Sequence, residues 1–158
     1  VQNKVHWAIT KQTAAELIAE RVDSDKPHMG LTTWKNAPKG KILKPDVSIA
    51  KNYLDSDELS ELNRIVSMYL DYAENQAKKQ HVMMMQDWAN KLDAFLRFNE
   101  YEILDNPGQV SHEVAKQLAE TEYEKFRVIQ DREFVSDFHE VTKEYLKGEE
   151  FKSKQDEK

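Results

Sequence analysis

Residues 55–80 read DSDELSELNRIVSMYLDYAENQAKKQ, and the spacing within them decides the fold class. Leu59, Leu62, Val66, Tyr69, Leu70, Ala73 and Ala77 recur mainly at intervals of three and four, the repeat that lines one face of an α-helix. Ile65, Met68 and Tyr72 widen that stripe, which predicts a long helix touched on two sides and therefore central. Asp55 or Ser56 suits its N-cap, Asp57 and Glu58 suit the positive end of its dipole, and Lys78 and Lys79 favour an end near 78–80.

On the N-terminal side, Thr13-Ala14-Ala15-Glu16 has the form of a capping box, in which Thr and Glu each satisfy an orphan amide. Ala15, Ile18 and Val22 then share a face of a helix that must stop before Pro27. The stretch 23–45 holds three of the four prolines and two of the four glycines, so it reads as loop, with a short strand expected at 30–34.

On the C-terminal side, Met84 or Met85 begins a third helix carrying Trp88, Leu92, Phe95 and Leu96 and running into Asn99. The Asn106-Pro107-Gly108 turn breaks the chain, and Ser111 suits the N-cap of a fourth helix with Ala115, Leu118, Ala119, Phe126 and Ile129. Ser136-Asp137 suits a further cap ahead of Phe138, Val141, Tyr145 and Leu146, with Gly148 as the stop. The expected organisation is a single helical domain over 1–148 and a charged tail over 149–158.

Four glycines and four prolines in 158 residues leave few turn points, which suits helices better than a many-stranded sandwich. The fold class is therefore all-α, an irregular bundle with a central long helix and one lysine-rich loop. Cysteine is absent, which excludes disulfides, thiolate catalysis and Cys-ligated zinc. No run approaches the roughly 18 apolar residues of a membrane span and no signal-like segment is present, so a cytoplasmic protein without membrane partners is expected.

Charge is uneven. Residues 1–52 hold nine Lys/Arg against five Asp/Glu, and residues 53–158 hold fourteen against twenty-four. A polyanion would be repelled by the second part and attracted only by the first. Lys35, Lys39, Lys41, Lys44 and Lys51 lie within seventeen residues and are flanked by Trp34 and Tyr53, a composition that permits phosphate contacts with a base stacked on an aromatic ring. A solvated loop kept soluble by its lysines is the plainer reading.

Catalytic motifs are thin. His112-Glu113-Val114-Ala115-Lys116 and His139-Glu140-Val141-Thr142-Lys143 begin like a zinc-protease helix, but each has Lys where the second histidine ligand belongs. No phosphate loop or serine-hydrolase elbow occurs, and no cofactor or metal is expected. Asp71 and Glu74, three apart on the long helix, and His28 are the remaining candidates for acid/base work. Met83, Met84 and Met85 suit either a helix start packed in the core or an adaptable partner surface.

The segments 1–9 (VQNKVHWAI), 13–16 (TAAE), 29–32 (MGLT), 49–54 (IAKNYL), 69–74 (YLDYAE) and 92–96 (LDAFL) together resemble the RhuM virulence protein family of bacteria. The resemblance covers roughly residues 1–126. It implies a bacterial, often mobile-element-linked context and a preceding helix-turn-helix-like DNA-binding region as a partner, without implying a chemical activity. The leading expectation is a non-catalytic docking or self-association module, with a homodimer as its simplest form. The competing expectation is nucleic-acid binding or processing, using the 28–53 loop where it meets the helix bearing Asp71 and Glu74.

Overall fold

A computed structural model describes residues 2–134, 139, 141–143 and 145. Five α-helices with defined bounds appear in the order α1 (Gln2–Thr10), α2 (Ala14–Arg21), α3 (Ser56–Lys78), α4 (Met85–Phe98) and α5 (His112–Glu133). Between α2 and α3 run three single-turn 3-10 helices, Pro27–Gly30, Lys44–Ser48 and Ala50–Tyr53. The all-α class holds among the described residues. The short strand expected at 30–34 does not form: the amides of Thr32 and Thr33 both donate to the one carbonyl of Asn52, so no ladder register develops.

The centre of the molecule is α2. Thr13 Oγ1 accepts from the Glu16 amide at 3.3 Å while the Glu16 carboxylate accepts from the Thr13 amide at 2.8 Å, which closes the capping box. The helix buries Ala15, Leu17 and Ile18 and packs against α1, α5 and the Ala50–Tyr53 turn. From α5, Ala115, Ala119 and Tyr123 enter the core at intervals of four, and the two alanines leave room for α2 to come close.

The long helix is not central, as its apolar stripe had suggested. Capped by Asp55, which accepts from the Asp57 and Glu58 amides, α3 has 23 residues yet buries only Leu62 and Ile65. The reason is length. A 23-residue helix is about 35 Å long, whereas its neighbour α1, with nine residues, offers about 14 Å of surface. Beyond α1 the stripe meets α4 through Tyr69, whose hydroxyl donates to the Trp88 carbonyl at 2.7 Å and whose ring lies edge-on to Trp88 and Phe95. The α4 helix buries Leu92 and Leu96.

The first helix had no sequence signature. It carries no acidic first turn and no basic last turn, and it is held by burial of Val5, His6 and Ala8 and by a 2.7 Å ion pair from Lys4 to Asp93 of α4. At the other end, His139, Val141–143 and Tyr145 are helical, with Val141 and Tyr145 exposed. The expected cap at 136–137, Phe138, Leu146, the Gly148 stop and the tail 149–158 lie outside the described residues. Among the described residues no helix is long and apolar enough to cross a membrane.

Candidate functional site

The 27–54 loop is braced from within. Buried Asp46 accepts from the amides of Leu43 at 2.8 Å and Lys35 at 3.2 Å, and its carbonyl accepts from Asn52 Nδ2 at 2.9 Å. Tyr53 donates its hydroxyl to the Val47 carbonyl at 2.7 Å, and burial pushes that hydroxyl's pKa well above its ordinary value. Thr32 Oγ1 donates toward the carbonyls of Asn52 and Leu54. The segments 29–32 and 49–54 are thus the two halves of one brace.

The loop is then tied to the helices on either side. Arg21, at the end of α2, grips Glu58 of α3 with two N–H groups at 2.6 and 2.7 Å and also donates to the Tyr53 carbonyl at 2.9 Å. This grip holds the Glu58 carboxyl below the usual carboxylate range. On the far side, the Gln130 carboxamide of α5 accepts from the Ile42 amide at 2.7 Å and donates to the Ile42 carbonyl at 3.0 Å.

The basic loop and the acidic helix cancel one another. Lys41 pairs with Asp131 at 2.8 Å and lies 4.8 Å from the Phe134 ring centroid. Lys44 reaches Glu120 at 3.5 Å and Glu124 at 4.0 Å. Lys35, Lys39 and Lys51 are exposed and make no ion pair among the described residues.

Three of the sequence candidates come together in one pocket of about 190 Å³. His28, Trp34 and Lys39 line it with Phe126, Ile129 and Phe134. The His28 and Trp34 rings lie 4.7 Å apart at 35°, and Trp34 Nε1 donates to the Gly40 carbonyl at 2.8 Å. The sequence assigns Phe126 and Ile129 to the fourth helix without a role in a site, and it does not single out Gln130 and Phe134. The available signal was the continuation of the α5 stripe through 126, 129, 130, 133 and 134, beyond what the eight-residue α2 can cover.

The other candidates stay apart from this pocket. Asp71 and Glu74 are exposed on the distal half of α3, and Glu74 pairs with Lys78 at 2.8 Å. At the α3–α4 connection Met83 is half-buried, while Met84 and Met85 are exposed. Leu70, 61% exposed, and Val66 continue the apolar stripe of α3 into solvent, and Phe98 at the end of α4 is 87% exposed.

The model of the Virulence protein RhuM family matches residues 1–135. The chain belongs to the RhuM virulence protein family. That match takes in all five helices, so the half-bare α3–α4 hairpin and the loop pocket both lie within the RhuM region. No curated protein and no solved structure matches the chain.

Proposed function

We propose that this RhuM-family chain is a non-catalytic association module that pairs with a second copy through its α3–α4 hairpin, and thereby couples two copies of whatever DNA-associated region accompanies it. The observation that carries this is the apolar ladder Val66, Leu70, Ala73 and Ala77, exposed at all but the half-buried Ala73, on a 23-residue helix with two buried residues. A second copy is the occupant that its charges favour. Asp55 and Asp57 are exposed at one end of α3 and Lys79 at the other, none of them in an ion pair among the described residues, so an antiparallel two-fold pairing sets opposite signs against each other. Met84 and Met85, exposed at the start of α4, supply adaptable apolar surface.

Sedimentation velocity over a concentration series tests the reading. The wild-type chain is expected to pass from monomer to dimer, and Leu70→Glu is expected to hold it monomeric without loss of helicity, because Leu70 is largely exposed. A wild-type chain that stays monomeric at high micromolar concentration contradicts the proposal. The competing nucleic-acid reading along the lysine loop is the weaker one, since Lys41 and Lys44 already serve α5 and a polyanion would have to displace its carboxylates.

A further inference from the structure

The pocket between the 28–40 segment and the end of α5 has a wall and a rim of different chemistry. Its wall is aromatic, with the Trp34 indole and the His28 imidazole beside it on the loop side and Phe126 and Phe134 on the α5 side. The fixed polar groups in this wall are committed, Trp34 Nε1 to Gly40 and the Gln130 carboxamide to Ile42. What remains at the rim is Lys39 and Glu133, both exposed and without an ion pair among the described residues. His28 and Met29 hold positive φ values of 54° and 48°, a conformation that costs a non-glycine residue energy and recurs where side chains are held for a ligand.

We propose that this pocket binds a small molecule consisting of one flat ring with an N–H donor on one side and an anionic group on the other. The ring lies among the aromatic side chains, the anion meets the Lys39 ammonium and the donor meets the Glu133 carboxylate. Size sets the ring count: a cavity of about 150 Å³ accepts benzene, so 190 Å³ accepts one six-membered ring with its substituent. Opposite charges on the rim select a ligand with both features over a bare hydrocarbon or a polyphosphate. A polymer is disfavoured, because Lys41 and Lys44, the loop cations that follow Lys39, are held by carboxylates of α5. A nucleoside monophosphate with an amino-bearing pyrimidine and a single-ring aromatic acid with an amino group para to its carboxylate share this chemistry.

The intact chain is titrated with cytidine monophosphate and, separately, with 4-aminobenzoate, by calorimetry and by NMR of the three indole N–H signals from Trp7, Trp34 and Trp88. Binding of either probe with a shift confined to the Trp34 signal is the expected result, and which probe binds identifies the source of the ligand. Lys39→Glu and Glu133→Lys, both at exposed positions, are each expected to weaken that probe about tenfold. Ile129→Trp, which fills the pocket from a 43% exposed position, is expected to abolish binding with the melting temperature retained. Absence of heat and of any Trp34 shift with both probes at millimolar concentration overturns the proposal, as does binding that neither charge reversal weakens.

Discussion

The side-chain carboxamide of Gln130 satisfies both backbone groups of Ile42, accepting from the amide at 2.7 Å and donating to the carbonyl at 3.0 Å. One side chain of α5 therefore does for the loop what a neighbouring strand would do, and it does so at a residue that is itself buried. Gln130→Ala leaves the Ile42 amide without its partner and is expected to lower stability by about 1–3 kcal/mol. Amide hydrogen exchange read by NMR checks it, with exchange at Ile42 accelerated and protection at Leu17 and Ile18 of α2 falling only by the loss of global stability.

Gly30 sits where α2 ends and the loop turns beneath it. Its φ is +88°, and a Cβ there would come within 2.2 Å of the Arg21 carbonyl oxygen. Gly30→Ala therefore meets both a disfavoured backbone conformation and a backbone clash, and a loss of about 2–3 kcal/mol or more is expected in urea unfolding. An unchanged midpoint would show that the turn moves freely away from α2.

Arg21 ties the same corner through a fork that lysine cannot reproduce. Arg21→Lys keeps the charge but cannot hold both Glu58 oxygens and the Tyr53 carbonyl, and is expected to cost about 1–2 kcal/mol. In a double-mutant cycle with Glu58→Gln the two losses should add to less than their sum.

Stability should fall with acid in two stages. Burial lowers the pKa of His6 from about 6.5, and its Nδ1 has no hydrogen-bond partner, so folding favours the neutral ring. That contribution is complete above pH 6.5 and is lost as pH falls from there through the folded-state pKa, because the unfolded chain takes up the proton first. The second stage belongs to carboxylates whose pKa values are lowered from 4.5: Glu58 by Arg21, Glu16 by the amides of Gln109 and Thr13, and Glu122, brought to about 2 by Lys125 and Ser24. Their contribution is present above pH 4.5 and lost below it. Melting temperatures of His6→Leu across pH should lack the first stage and keep the second.

What the sequence disclosed was what local chemistry determines. Thr13, Asp55 and Ser111 cap their helices as their positions indicate, because a cap is a contact between near neighbours in the chain. Tertiary length was hidden. Nothing in the stripe from Leu59 to Ala77 says that α1 is too short to cover it, and nothing in residues 2–10 marks a helix that is held only by its neighbours. For the pocket, His28, Trp34 and Lys39 could be named from composition, but their convergence depends on Phe126 and Phe134 arriving from nearly a hundred residues away. The same distance hid the fate of Lys41 and Lys44, which counted as free charges until α5 was laid beside them.

The absence of cysteine allows one spin label to be placed at will, and the position that tests self-association most directly is Ser67, exposed on α3. Two antiparallel helices packed with axes about 8–10 Å apart bring labels near the middle of each helix within roughly 15–30 Å, inside the range of double electron–electron resonance. The account predicts a narrow distance peak in that range for labelled Ser67→Cys, a much longer or absent one for Lys116→Cys on α5, and loss of the Ser67 peak when Leu70→Glu is added. A dipolar signal missing from Ser67→Cys, or one that Leu70→Glu leaves unchanged, would contradict pairing through the α3–α4 hairpin.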